Sequence, residues 1–138
     1  MSTPHRTTSE GRERADTSSG WPLFVGIYLG IAGVFDVLWG IAAVSEADPF
    51  RDGGLVLEGL KTWGWIAIAV GIGQIAVAGL IANRNAIGIW LAAWFAFMGL
   101  LVHFVAIGAY PLWSAVIIAL NALVLWAVTV HSDEFADF

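Results

Sequence analysis

Long apolar runs alternate along this chain with short polar breaks. Four runs, at residues 21–44, 63–82, 87–109 and 111–130, each approach the roughly 20 residues that a helix needs to cross the hydrocarbon core of a bilayer. Before them stands "MSTPHRTTSEGRERADTSSG", which holds no large apolar residue after Met1 and too little apolar surface to fold alone. After them comes "HSDEFADF", a short acidic tail at 131–138. The pattern predicts an all-α integral membrane protein: a four-transmembrane-helix bundle over residues 21–130, with a disordered polar N-terminal tail over 1–20.

The breaks set the topology. Residues 45–62, "SEADPFRDGGLVLEGLKT", form the one long connection, in which Pro49 and Gly53-Gly54 interrupt a helix while Leu55, Val56, Leu57 and Leu60 suit a membrane surface. "NRNA" at 83–86 is a tight polar turn that makes the second and third spans antiparallel neighbours. "GAYP" at 108–111 joins the third and fourth, and Pro111 suits the first turn of a new helix. A signal peptide competes for the first run, since Ala43 and Ser45 fit a small-residue cleavage rule. A 24-residue run behind a 20-residue polar leader is too long for one, and the run is read as a membrane helix.

Composition narrows the class further. The chain has 138 residues, 59% hydrophobic and 12% charged, more apolar surface than a soluble domain of this size can hide. It contains no cysteine, which removes disulfides, thiolate metal sites and cysteine nucleophiles. The net charge is -5 and the basic residues are scattered, so nucleic acid is not a partner that electrostatics would support. With the N-terminus inside, the cytoplasmic side holds Arg6, Arg12, Arg14 and Arg84, against Arg51 and Lys61 outside, which favours both termini in the cytoplasm. Under that topology Trp21, Trp90, Trp94 and Trp126 form an inner belt, and Trp39, Trp63, Trp65 and Trp113 an outer one.

Each span carries one polar side chain of interest: Asp36, Gln74, His103 and Asn121. At about 100° per residue, Gly26, Gly30, Gly33, Asp36 and Gly40 share one arc of the first helix. Gly64, Ala67, Gly71, Gln74, Ala78 and Ala82 share an arc of the second, and Gly88, Ala92, Ala96, Gly99 and His103 one of the third. Small residues let membrane helices approach closely, so these stripes mark helix contacts and turn the polar groups toward protein. The fourth helix is ambiguous, because Ser114 and Asn121 lie on one face and Ala115, Ala119 and Ala122 on another. Asp36, Gln74 and Asn121 fall about 12 to 16 Å from the outer ends of their spans, with His103 shallower, so all four can meet in the outer half of the bundle. The match of Gly33-x-x-Asp36 with Gly71-x-x-Gln74 hints at an internal repeat.

Three readings of the four-residue polar cluster follow. In one, Asp36 is interhelical glue, bonded to Gln74, His103 or Asn121. In another, Asp36 and His103 relay a proton or ion. In the third, the cluster is a site for a lipid, quinone or partner helix. No catalytic residue, metal site or cofactor is expected: a bis-histidine haem needs two facing membrane histidines, and His131 lies at the end of the fourth span. Nor does "LLVHFVA" offer a metal ligand cluster. The glycines of "GWIAIAVGIG" are a packing stripe, not a phosphate cradle.

"GWPLFVGIYLGIAGVFDVLWGIAAV", "TWGWIAIAVGIGQIAVAGLIA" and "AYPLWSAVIIALNALVLWAVTVH" resemble the four-helix membrane proteins of actinobacteria classed as domain of unknown function 7144, and more distantly the DoxX-like four-helix proteins. The likeness covers about residues 20–131 and is most specific at Trp63-Gly64-Trp65 and at Tyr110-Pro111-x-Trp113-Ser114. It implies a four-helix bundle of the bacterial plasma membrane and no established activity. The family pattern has asparagine more often at the position of Asp36 and an acidic residue more often near Asn121, which would suit a polar pair joining the first and fourth helices. The expectation is an accessory, assembly or structural membrane component surrounded by lipid, forming a homo-oligomer or part of a larger membrane complex; the alternative is a small transporter or proton-conducting subunit.

Overall fold

The computed structural model describes residues 20–46 and 54–136, with side chains at 20–45 and 59–135. Five helices follow in chain order: α1 Gly20–Glu46, α2 Gly54–Ala82, α3 Ala86–Ala106, α4 Pro111–Val130 and the short α5 Ser132–Ala136. No strand occurs among the described residues. The residues read as a disordered N-terminal tail lie outside the described residues, apart from Gly20, which opens α1.

Three boundaries differ from the apolar runs. α2 begins at Gly54, so the helix of the second span takes in Leu55 to Thr62. Leu, Glu and Lys are good helix formers, and once Gly54 is passed nothing in "LVLEGLKT" stops the helix except a single glycine. α3 ends at Ala106, where Ala109 and Tyr110 both donate backbone N–H groups to the Ala106 carbonyl at 3.0 and 3.1 Å and turn the chain. Residues 132–136, within the segment read as an acidic tail, form α5, whose Phe135 is 1% exposed.

The turn between α2 and α3 is locally specified. Asn85 donates its N–H to the Leu80 carbonyl and Arg84 donates to that of Ile81, both at 2.9 Å, with Arg84 in the left-handed region at φ 56°. This is the pair of hydrogen bonds by which a helix satisfies its last carbonyls. The Asn85 side chain then accepts from the N–H of Ile87 at 3.0 Å and caps α3.

Packing is uneven. α1 and α2 make by far the closest pair, α3 and α4 the next, and α1 touches α4 only lightly. The close pair rests on a repeat of seven residues: Gly26, Gly33 and Gly40 on α1 run against Ala78, Gly71 and Gly64 on the antiparallel α2. A Cβ at Gly33 would stand 2.6 Å from the Gly71 carbonyl oxygen, and one at Gly40 2.5 Å from that of Gly64. Only glycine permits this approach, in which the two backbones touch directly. A seven-residue period keeps such a seam facing its partner along the whole helix.

The closed core fills the half of the bundle that holds the start of α1 and the end of α4. It consists of Val25 and Leu29, Val77 and Ile81, Ala92 and Ala96, Val124 and Ala127, with Phe135 of α5 closing the end. Elsewhere the helices turn apolar side chains outward, Trp90 at 80%, Val105 at 85% and Leu112 at 82% exposed. Between 11 and 28% of each apolar span is buried. Such a surface is ordinary in lipid and intolerable in water, and each of the four helices is long and apolar enough to cross a bilayer. The chain is a multi-pass membrane protein.

Candidate functional site

The polar side chains are positioned by the glycine seam. Asp36 lies three residues beyond Gly33 on α1, and Gln74 three beyond Gly71 on α2, so the two sit on opposite sides of the point where those glycines meet. Helical side chains lean toward the N-terminus of their own helix. Because α1 and α2 are antiparallel, each therefore leans back toward the crossing, and Gln74 Nε2 donates to Asp36 Oδ2 at 2.9 Å. The Gly-x-x-Asp and Gly-x-x-Gln match is thus the signature of this pairing. The other amide atom, Gln74 Oε1, is buried and has no hydrogen-bond partner among the described residues.

Asn121 is joined to a different partner. It is 4% exposed and packs onto Gly99 of α3, where a Cβ would stand 2.8 Å from its Nδ2. Its Oδ1 accepts from the hydroxyl of Tyr28 on α1 at 3.2 Å. The polar contact between the first and fourth helices is therefore Tyr28–Asn121, and Asp36 does not take part in it. Tyr28 was not among the sequence-derived candidates; its signal was depth, since it lies about 12 Å inside α1, beyond the interfacial level where tyrosine usually settles.

His103 is tied to its own helix. Its Nδ1 lies 2.9 Å from the Gly99 carbonyl oxygen, and because a carbonyl only accepts, that nitrogen carries the proton. Gly99 thus takes the imidazole on its carbonyl and Asn121 against its Cα. Asp36 stands within electrostatic reach of both His103 and Tyr28. The four expected residues are accordingly arranged as one bonded pair, Asp36–Gln74, and two separate attachments, Asn121 to Tyr28 and His103 to Gly99.

The rotation of α4 is settled by burial. Ser114, Asn121, Val124, Ala127 and Val128 face inward, and Ala115, Ala119 and Ala122 are exposed. Ser114 is 1% exposed and its hydroxyl has no partner among the described residues. Among the packing glycines, Gly33, Gly40, Gly64, Gly71, Gly88 and Gly99 all have neighbours too close for a freely placed Cβ, while Gly26 and Gly30 leave ordinary van der Waals room. Gly73 joins them unexpectedly: the Phe95 ring of α3 lies over it, 2.8 Å from where a Cβ would be. Among the described residues no three acidic, histidine or cysteine side chains gather in a way that could hold a metal ion.

The family model described as domain of unknown function (DUF7144) matches residues 21–133. The chain belongs to this family. The DUF7144 match takes in all four spanning helices, both attachments of the polar residues and the beginning of α5, and it leaves out residues 1–20. No curated protein and no solved structure matches the chain.

Proposed function

We propose that this DUF7144 protein is an accessory, assembly or structural component of the bacterial plasma membrane, without catalytic activity of its own, and that its intramembrane polar side chains serve to fasten helices. The observation that supports this most is the Gln74–Asp36 hydrogen bond, which fills the most costly polar position in the first span with a partner from the most closely packed neighbour. The Tyr28–Asn121 bond serves the thin contact between α1 and α4 in the same way. Partners in this reading are lipid and further membrane helices, in a homo-oligomer or a larger complex; the exposed Ala115, Ala119 and Ala122 of α4 are small enough to admit one. Both termini lie in the cytoplasm. Single cysteines at Ser18, Asp52 and Ser132 test that orientation: an impermeant thiol reagent applied to intact cells reacts at position 52 only, and reaction at 18 or 132 instead reverses it.

A second reading, a proton or ion relay, draws on the electrostatic proximity of Asp36, Tyr28 and His103. Flux measured in proteoliposomes under an imposed pH or salt gradient separates the two. In the fastening reading, liposomes carrying the protein leak no faster than empty ones, and Asp36→Asn changes nothing. Flux above that background, abolished by Asp36→Asn in a protein that still folds, establishes the relay.

A further inference from the structure

Each spanning helix carries a row of residues that faces the bundle axis. At about 100° per residue, Val25, Leu29 and Asp36 of α1 fall within an arc of about 40°, and Ala92, Ala96 and His103 of α3 do the same. Val77 and Val70 of α2 lie about 20° apart with Gln74 beside them, and Val124 and Ile117 of α4 are as close. In the core these rows are sealed: Val25, Leu29, Val77, Ala92, Ala96 and Val124 are at most 2% exposed. Further along the same rows, toward the α3–α4 turn, Asp36, Gln74, Val70, His103 and Ile117 are all partly exposed. A side chain that points at the axis and is still exposed marks an opening. The axis is therefore closed up to the Tyr28–Asn121 hydrogen bond and open beyond it. The thin contact between α1 and α4 gives this crevice a side that faces lipid.

Two acceptor atoms remain over in this crevice, on helices that stand diagonally across the bundle. The Gln74 amide takes Asp36 Oδ2 and leaves Oδ1 without a partner among the described residues. His103 gives its Nδ1 proton to the Gly99 carbonyl, so its Nε2 carries a lone pair, also without a partner. Neither Oδ1 nor Nε2 is buried, and the two side chains stand within electrostatic reach of each other. Tyr28 spends its hydroxyl hydrogen on Asn121 and keeps an oxygen that can only accept.

One carboxylate flanked by oxygen and nitrogen acceptors matches a cation that brings its own N–H donors. Calcium and magnesium ions require six or more oxygen ligands or a retained shell of water, and among the described residues no three acidic, histidine or cysteine side chains gather to supply them. We propose that the crevice binds a protonated primary amine with an apolar tail: the ammonium group donates to Asp36 Oδ1 and His103 Nε2, and the tail passes between α1 and α4 into lipid. Charges inside a membrane are held by opposite charges. Gln74 is a neutral partner, and the ammonium supplies the counter-charge it lacks. The amine uses the oxygen that the Gln74 bond leaves over, so the site stands apart from the fastening role and requires no flux.

Full-length protein in dioleoyl phosphatidylcholine nanodiscs, titrated with radiolabelled dodecylamine at neutral pH against empty nanodiscs, tests the site. Saturable binding of one amine per chain is expected. Dodecyltrimethylammonium has the charge without the N–H donors, and dodecanol a donor without the charge. Each should compete about tenfold or more weakly than unlabelled dodecylamine, the ratio that a charge-assisted hydrogen bond provides. Asp36→Asn keeps a side chain that can bond Gln74 and should weaken the amine by a similar factor, with a smaller loss in His103→Phe. Binding no greater than to empty nanodiscs overturns the proposal, as does dodecyltrimethylammonium competing as well as dodecylamine. Undiminished binding to folded Asp36→Asn overturns it too. If that variant does not fold, the three head groups compared on the natural chain decide the matter alone.

Discussion

A methyl group added at Gly33 would stand 2.6 Å from the Gly71 carbonyl oxygen, whereas one added at Gly79 of the same helix pair meets nothing within 4 Å. Gly33→Ala therefore has to push α1 and α2 apart and is expected to lower thermal stability in detergent by about 1 to 3 kcal/mol. Gly79→Ala relieves only the conformational freedom of a helical glycine and should leave stability unchanged or raise it by up to about 1 kcal/mol. Equal effects at the two positions would mean that the backbone contact does not hold the pair together. At this scale the sequence was legible where an element rule was broken: a carboxylate inside a charge-free apolar run announced Asp36, and its arc announced the glycines around it. Tyr28 was not legible, because an aromatic residue in an apolar run breaks no pattern until its depth is measured against a known helix start. Tyr28→Phe removes the hydroxyl that donates to Asn121, and should cost about 0.5 to 1.5 kcal/mol in the same assay.

The four spans were readable because a bilayer fixes helix length, and apolar runs of that length have no other stable use in this chain. Their ends were less readable. The start of α2 hid behind polar residues that are also good helix formers, and the end of α3 was set by backbone hydrogen bonds to Ala106 while the apolar run continued to Ala109. α5 was invisible for a simpler reason: in "HSDEFADF" a single Phe135 carries the apolar contact, and five residues show no period. Yet Phe135 is buried in the core at the end shared by α1, α3 and α4. Phe135→Ala is expected to destabilise the bundle by about 3 kcal/mol on thermal unfolding. A loss below about 0.5 kcal/mol, the size of an ordinary surface change, would show that α5 is not part of the folded unit.

At the scale of the molecule, two helix pairs share a core at one end, with the polar residues just beyond it. That the polar stripes faced protein was legible, since small residues and polar residues shared arcs on three helices. Which polar group met which was not, because partner choice depends on helix register, and a one-turn shift exchanges every neighbour. The seven-residue spacing of Gly26, Gly33 and Gly40 against Gly64, Gly71 and Ala78 is the feature that would have fixed that register from the sequence. The central claim is that Asp36 and Gln74 act together to join α1 to α2, and a double-mutant cycle on thermal unfolding of the reconstituted protein tests it. Asp36→Leu and Gln74→Leu should each cost about 1 to 3 kcal/mol by stranding the other partner, and the double variant should cost less than their sum by about 1 kcal/mol. Strictly additive losses would contradict the account.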